Sequence, residues 1–266
     1  MALLSATGIA TALLATTIAP AHAGKGHAPG PRPTVVLVHG AFADSTSWNG
    51  VVKKLKRDGY RVVAAANPLR GLAGDATYIK EVLDGIEGPV VLAGHSYAGA
   101  VITNAAREAD NVKALVYVAA FIPDKGESAA ALTDKFPGST LGSAVKSVPI
   151  TLPDGTPGAD LTIDPVKFHN QFAADVPRNT TDLMAVTQRP IASAGLEQTS
   201  GAPAWKTIPS WALVATEDRN IPERTQIFMA ERAKAHTVKV RASHAVSVSH
   251  PDKVAQLIEQ AARTSR

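Results

Sequence analysis

Cysteine is absent from this 266-residue sequence. Its absence excludes disulfide bonds, thiolate metal sites and a cysteine nucleophile. The sequence also contains no H-E-x-x-H motif or comparable histidine pair, so it does not predict a catalytic metal. No internal repeat is visible, which excludes a solenoid or propeller.

The sequence also lacks a strong excess of either charge. Its 27 Lys and Arg residues exceed its 23 Asp and Glu residues only slightly, for a net charge of +4. The densest basic group, KKLKR at residues 53–57, follows an apolar helical pattern and is typical of a solvated helix face. We therefore expect no nucleic-acid partner. No feature of the sequence specifies an oligomeric state.

The first 23 residues form an apolar segment, MALLSATGIATALLATTIAPAHA, with no Lys or Arg beside the initiating amine. The segment is short and rich in Ala and Thr for a membrane span, and it ends in an A-x-A string at Ala23. We interpret it as a signal peptide that is cleaved after Ala23. The mature protein would then be secreted or periplasmic, without stable membrane insertion. An uncleaved anchor is the alternative.

From Pro33 onward, short apolar runs alternate with amphipathic helical patterns. This alternation predicts an α/β fold with a mostly parallel sheet flanked by helices. The rhythm breaks over residues 123–206, which are rich in Pro, Gly, Thr and Asp, and a loop of that length suggests an inserted, mainly helical cap. The predicted organisation is a signal peptide (1–23), a flexible leader (24–32), a first core segment (33–122), the cap (123–206) and a second core segment (207–266).

The stretch VVLAGHSYAGA, residues 90–100, places Ser96 between a predicted buried strand and a predicted helix. Gly94 and the small residues Ala98 and Gly99 permit a sharp turn there, because the strand and helix backbones must pass close to each other. The turn would expose the Ser96 hydroxyl, which favours a nucleophile. Ala98 occupies the second glycine position of a G-x-S-x-G motif. The alternative is an ordinary helix N-cap.

A serine nucleophile needs a general base and an acid that orients that base. Acids follow two predicted strands: Glu217 and Asp218 in WALVATEDRNIP, and Asp124 in ALVYVAAFIPD. We favour Asp218, since Asp124 lies several residues beyond its strand and adjoins the cap. The alternative for Asp218 is a charge at a helix N-terminus.

Four histidines are candidates for the base. His244 follows the last predicted strand, and the chain order Ser, Asp, His is typical of this architecture, so we predict that His244 is the base. His250 precedes Pro251 and is expected to flank the last helix. His95 would face the wrong side of the turn, and His39 is expected to brace the loop that follows the first strand.

An attacked carbonyl also needs two backbone N–H donors for its developing oxyanion. Tyr97, the residue after the nucleophile, is predicted to supply one. The HGAFA loop would supply the other from Ala41, because Gly40 lets the backbone turn inward. A plain β-turn is the alternative for this loop.

The segments LVHGAFADSTSWNGV, GHSYAGAV, ATEDRNIP and ASHAVSVSHP together resemble the α/β-hydrolase superfamily. Within it, they are similar to the branch of small methyl esterases and hydroxynitrile lyases and its bacterial relatives, over about residues 33–263. The resemblance implies a cofactor-independent Ser96, His244 and Asp218 triad beneath a small helical cap. Lyases of this branch carry a threonine and a lysine where this chain has Gly40 and Ala245, so hydrolysis is the expected reaction.

The expected function is therefore hydrolysis of small carboxylic esters through an acyl-enzyme intermediate. Acyl transfer follows from the site residues, whereas the ester preference rests on the resemblance. Two alternatives are a ligand-binding or signalling protein that keeps the fold with little turnover, and a lyase that cleaves a C–C bond.

If the signal peptide is cleaved as predicted, the exported protein begins at Gly24. N-terminal sequencing of protein recovered outside the cytoplasm checks this cleavage site. A mature protein that retains Met1 would contradict the prediction.

Overall fold

A computed structural model describes residues 2, 32–151 and 155–264. The predicted signal peptide and nearly all of the predicted leader therefore lie outside the described residues. No helix in the described ranges has both the length and the apolar character needed to cross a membrane.

The strands alternate with helices along both core segments, as the sequence predicts. The strands are, in chain order, β1 (Thr34–Val38), β2 (Val62–Ala65), β3 (Val90–His95), β4 (Val112–Val118), β5 (Val145–Thr151), β6 (Pro157–Ile163), β7 (Ile191–Ala192), β8 (Ser210–Ala215) and β9 (His236–Val240).

The helices follow the same order. They are α1 (Asn49–Arg57), α2 (Leu72–Asp84), α3 (Ala98–Ala105), α4 (Ala129–Thr133), α5 (Pro165–Phe172), α6 (Arg178–Thr187), α7 (Ser193–Glu197), α8 (Glu223–Arg232), α9 (Val246–Ser249) and α10 (Pro251–Thr264). Short 3₁₀ turns lie at Ser45–Trp48, Ala106–Glu108, Leu141–Ser143 and Ala204–Lys206.

The central sheet has six strands in the order β2-β1-β3-β4-β8-β9, and every neighbouring pair is parallel. This confirms the predicted α/β fold with a parallel sheet. Because all six strands point the same way, the loops after β1, β3, β8 and β9 all leave the sheet at the carboxyl ends of its strands. Each of these four loops carries a residue that the sequence singles out for chemistry.

Side chains that alternate along the strands divide the core into two layers. In β1, Val35 and Leu37 pack on one face, and Val36 and Val38 pack on the other. Helices α1, α9 and α10 cover the first face, and α2, α3, α8 and parts of the cap cover the second. Burial of β1, β3 and β8, and of all but one residue of β4, explains their nearly continuous apolar sequences, whereas β2 is mostly half-buried and β9 largely exposed.

The cap, residues 123–206, combines helices α4 to α7 with an antiparallel sheet of strands β5, β6 and β7. Among the described residues of this predicted cap, helices hold more of the chain than strands do, but the sequence did not predict the sheet. The physical reason lies in exposure: β5 is largely solvent-exposed and β6 only half-buried, so neither shows the apolar alternation of a buried strand.

One core helix is shorter than its pattern indicates. The sequence predicts a helix over residues 223–235, whereas α8 ends at Arg232. Lys234 has a left-handed backbone with φ of 52°, which a continuing α-helix cannot accommodate.

Candidate active site

Ser96 occupies a sharp turn between β3 and α3, with a left-handed backbone at φ of 56°. Its carbonyl accepts hydrogen bonds from the N–H groups of Gly99, at 2.9 Å, and Phe121, at 3.1 Å. A Cβ atom at Gly94 would lie 2.7 Å from the carbonyl oxygen of Ala98, so only glycine fits where the strand meets the helix. The turn therefore places the Ser96 side chain just beyond the carboxyl end of β3.

The structure brings Ser96, His244 and Asp218 together from three different loops. The Oγ atom of Ser96 lies 2.8 Å from Nε2 of His244, and Nδ1 of His244 lies 2.6 Å from Oδ2 of Asp218. All three residues are buried. Since a carboxylate accepts, Nδ1 carries the imidazole proton and Nε2 is free to accept from the serine hydroxyl.

The Asp218 carboxylate is held by three further donors besides His244. Its Oδ1 atom accepts from the backbone N–H groups of Asn220, at 2.7 Å, and Ile221, at 3.0 Å. Its Oδ2 atom accepts from the Gln226 side-chain amide at 2.9 Å. Both oxygens are therefore fixed in position, and the buried charge is hydrogen-bonded on each side.

The two alternative acids, Asp124 and Glu217, form ion pairs with basic side chains instead of contacting His244. Asp124 forms an ion pair with Lys206, with 2.7 Å between Oδ1 and Nζ, and the Lys206 hydrogen bond lowers the pKa of Asp124. Glu217 pairs with exposed Arg241 at 2.7 Å. Each rival thus has a cation as its partner, whereas Asp218 has the imidazole.

The remaining histidine candidates have structural partners. His95 lies 2.8 Å, through Nε2, from the backbone carbonyl oxygen of His244, so Nε2 is the donor. His39 accepts from the Asn67 backbone N–H at 3.0 Å and donates to the Gly40 carbonyl at 2.9 Å. His250 precedes α10 and lies 2.9 Å from the hydroxyl of Ser249. His39 thus braces the loop after β1 and His250 flanks α10, as the sequence predicts.

The two histidines nearest the reacting groups are kept uncharged by burial. Desolvation lowers the pKa of His95 to about 3, with a further lowering from neighbouring His244. Desolvation also lowers the pKa of His39. Neither ring is therefore protonated at neutral pH, and neither can supply a cation beside Ser96.

The N–H groups of Ala41 and Tyr97 face no hydrogen-bond acceptor among residues 32–151 and 155–264. Both residues line a cavity that also contains Ser96. The neighbouring Phe42 N–H, in contrast, donates to the Arg189 carbonyl at 3.2 Å. Two unoccupied donors beside a serine are what an oxyanion-binding site requires.

The Tyr97 side chain points away from that cavity and anchors the turn to α2. Its hydroxyl donates to Oδ2 of Asp75 at 2.8 Å, and the Arg70 N–H donates to Oδ1 at 3.0 Å. Asp75 is completely buried, and desolvation raises its pKa despite these donors. Burial also raises the pKa of Tyr97, so the tyrosine stays a neutral donor.

The cavity at Ser96 is small and uncharged. Its volume is about 30 Å³, and its described walls include Phe42, Phe121, Leu141 and Leu196 but no charged side chain. A larger cleft of about 480 Å³ lies between α2 and α3, but it contains none of the three reacting groups. Proximity to Ser96, rather than volume, therefore identifies the candidate site.

Sequence analysis missed three residues that hold the site in place. Asp75 lies three residues after Leu72 and four before Ile79, on the apolar face of α2. A carboxylate at that spacing could have been predicted from the sequence to be buried and to need a partner. Gln226 and Phe172 gave no comparable signal. Phe172 of α5 packs edge-on against the His244 ring, with 5.0 Å between ring centroids, and its carbonyl accepts from the Ala245 N–H.

The Tyr97 hydroxyl can be tested against a matched tyrosine. Tyr97→Phe removes a donor from a buried carboxylate, so we expect a loss of about 1.5–3 kcal/mol in the free energy of unfolding at pH 8. Tyr117→Phe is the control, since Tyr117 is equally buried but its hydroxyl, 2.9 Å from Thr103, pairs with a neutral group. This control should lose about 0.5–1.5 kcal/mol.

Urea unfolding measures both variants. The excess loss in Tyr97→Phe should shrink as pH falls through the raised pKa of Asp75, because a protonated carboxyl needs no donor at that oxygen. Equal losses at every pH would show that the contact with Asp75 is no stronger than a neutral hydrogen bond.

Three comparisons relate the chain to known proteins. A model of the alpha/beta hydrolase family matches residues 35–257. The chain is 38% identical over 113 residues to a carbendazim-hydrolyzing esterase of Nocardioides sp. (strain SG-4G), a match that covers 38% of this chain and 47% of that relative. It is 24% identical over 252 residues to the alpha/beta hydrolase nvfD of Aspergillus novofumigatus (strain IBT 16806), covering 87% of this chain and 97% of the relative.

Solved structures show the same fold. Polyneuridine aldehyde esterase superimposes with a TM-score of 0.73 at 18% identity, covering 86% of this chain and 99% of that structure. The methylesterase MES16 from Arabidopsis gives a TM-score of 0.72 at 16% identity, covering 87% of this chain and 99% of that structure. The family match over most of the chain, on a sheet of this topology, places the protein in the alpha/beta hydrolase family.

Proposed function

We propose that the protein is a serine hydrolase that cleaves small carboxylic esters through an acyl-enzyme intermediate. The observation that carries the proposal is the pair of hydrogen bonds from Ser96 through His244 to Asp218, at 2.8 Å and 2.6 Å. The esterase activity in the names of several relatives supports the choice of ester over other acyl compounds.

In the proposed acylation step, His244 Nε2 takes the proton from Ser96 as its Oγ attacks the ester carbonyl carbon. The N–H groups of Ala41 and Tyr97 bind the oxyanion that forms. His244 then gives the proton to the alkoxy oxygen, and the alcohol leaves. Asp218 stabilises the imidazolium between these two transfers, because its charge lies 2.6 Å from Nδ1.

In the proposed second half of the reaction, water attacks the acyl group on Ser96, and His244 removes the proton from that water. The tetrahedral intermediate collapses, the carboxylic acid leaves, and the proton returns to Ser96 Oγ. Every proton moves between oxygen and Nε2 of one imidazole, so the proposed reaction uses no cofactor.

Hydrolysis fits the surroundings of His244 better than cyanide release does. A departing cyanide anion would need a cation, yet Ala245 follows the histidine, and His95 is neutral with a pKa of about 3. A Cβ atom at Gly40 would lie 2.7 Å from both the His95 carbonyl oxygen and the Ser96 Cβ atom. The threonine expected of a lyase would therefore collide with the turn.

The expected substrate is an uncharged ester, since no charged side chain is among the described residues that line the cavity at Ser96. If the signal peptide is processed as its sequence predicts, the enzyme acts in the periplasm or outside the cell. Its natural substrates would then be esters present in that compartment.

Ser96→Ala tests the nucleophile. The change should lower kcat for p-nitrophenyl acetate by about 10⁶-fold without unfolding the protein, because the three side chains act as a unit. A fluorophosphonate should label the native enzyme at Ser96 and abolish turnover. The matched control is Ser247→Ala, which removes a buried hydroxyl without a hydrogen-bond partner among the described residues and should leave kcat within a few-fold.

Two outcomes would overturn this proposal. If Ser96→Ala keeps more than a few per cent of the rate, another group is the nucleophile. If native protein binds the ester without multiple turnover, the ligand-binding alternative applies. Strong cyanide release from mandelonitrile, dependent on His244 and accompanied by weak ester hydrolysis, would favour the lyase.

The assignment of the acid is tested by two isosteric changes. Asp218→Asn should lower kcat by about 10⁴-fold, because an amide favours the wrong imidazole tautomer. Asp124→Asn should leave kcat within a few-fold, since its carboxylate contacts Lys206 and the Lys125 backbone N–H rather than His244. Steady-state kinetics on p-nitrophenyl acetate measure both, and the reverse ranking would move the catalytic acid to the loop after β4.

A further inference from the structure

Phe42 forms a wall between the cavity at Ser96 and a second, larger groove. The cavity holds about 30 Å³, and the groove about 270 Å³, with Phe42 lining both. A space of 30 Å³ holds little more than one or two water molecules, whereas small-molecule sites are commonly about 300 Å³ or larger. The cavity alone therefore takes only a small part of an ester.

The backbone of Phe42 is held in an unfavourable conformation. Its φ is 61°, a left-handed value that is uncommon for a bulky side chain. The hydrogen bond from its N–H to the Arg189 carbonyl, at 3.2 Å, joins this loop to the cap. The residue is only 3% exposed. Strained residues of this kind are concentrated at ligand clamps and switch regions.

The residues that line the groove are mostly uncharged. The cap helix α6 contributes Leu183 and Met184 to one wall, and the 3₁₀ turn after β1 contributes Ser47 to the opposite wall. Asp44 is the single charged side chain among the described residues that line it. The lining also includes uncharged polar side chains (Thr46, Asn49, Thr180, Thr187 and Gln188), but most of its exposed surface is apolar. The groove therefore suits an uncharged, largely apolar group and disfavours an anionic one.

The position of the groove links it to the reacting atoms. It shares Phe42 with the cavity at Ser96, and it also includes Val248 of α9, four residues after His244. Leu183 of α6 is 66% exposed, although it belongs to a groove wall, so its apolar surface is available to a ligand. Phe42 is the one described residue that lines both spaces, so its side chain lies between Ser96 and this surface.

We propose that the groove binds the larger, uncharged apolar arm of the ester substrate, and that Phe42 is the specificity-determining residue that limits access to it. The inference rests on the proposed esterase function. The smaller arm occupies the cavity at Ser96, and the larger arm passes Phe42 and lies against α6. Either the acyl chain or the alcohol can be the larger arm, and the experiment distinguishes them.

The first measurement uses Phe42→Ala with two substrate series. One series lengthens the acyl chain from p-nitrophenyl acetate to octanoate, and the other lengthens the alcohol from methyl to octyl acetate. In the series whose long chain enters the groove, the ratio of kcat/KM for the longest ester to that for the shortest should rise about tenfold or more. Phe42→Leu, a smaller change in the core, should raise the same ratio by less.

The second measurement tests the groove wall with a matched pair on α6. Leu183→Asp puts a charge in the groove, and Val186→Asp puts one on the same helix at a residue that is 74% exposed and outside the groove lining. Leu183→Asp should lower the long-to-short ratio about tenfold, in both native and Phe42→Ala backgrounds, and Val186→Asp should not change it. Because both sites are exposed, both variants are expected to fold.

If the long-to-short ratio of kcat/KM rises in Phe42→Ala for one series only, the arm that is lengthened in that series binds in the groove. Either assignment supports the proposal. Unchanged ratios in the folded Phe42 variants, or equal effects of Leu183→Asp and Val186→Asp, would overturn it. Should neither Phe42 variant fold, the α6 pair alone decides. A failure of the proposed function is distinct, because hydrolysis of the shortest esters would then not depend on Ser96.

Discussion

The left-handed backbone at Ser96 is the constraint on which the rest of the site depends. A non-glycine residue in this conformation costs on the order of 1–3 kcal/mol and persists only where its surroundings enforce it. Here two N–H donors hold the Ser96 carbonyl, and Gly94 lets the backbone of α3 approach β3. The same turn directs Ser96 Oγ toward His244 and presents the Tyr97 N–H to the cavity.

The electrostatics of the site follow from burial around this turn. Asp218 is buried, and four hydrogen-bond donors hold its carboxylate. His95 is buried with few partners and loses its proton instead. The described walls of the cavity carry no charged side chain, so in the proposed reaction the oxyanion is stabilised by the N–H groups of Ala41 and Tyr97, and the imidazolium of His244 by Asp218.

The sequence predicted those residues that lie beside a recognisable local pattern of apolar and polar residues. Buried parallel strands give continuous apolar runs, and Ser96 and Asp218 each follow such a run, so the fold and the position of these two residues could be predicted. His244 follows β9, which is largely exposed, and it was predicted from its place after the acid in the chain instead. The cap sheet has no such signal because its strands are half-buried or exposed. Gln226 and Phe172 act through contacts with partners distant in sequence or in other elements, which a pattern of 3.6 or 2 residues does not encode.

The cap contacts both His244, the proposed base, and Phe42, the wall of the proposed substrate site. Phe172 of α5 packs against the His244 ring, and its carbonyl holds the loop after that histidine. Arg189, after α6, holds the Phe42 backbone through its own carbonyl. The two hydrogen bonds use backbone carbonyls and depend on where the cap chain runs, whereas the ring contact also depends on the Phe172 side chain. A shift of the cap would therefore alter the orientation of the base and the access past Phe42 together, and side-chain changes on its surface can vary substrate fit while these anchors stay in place.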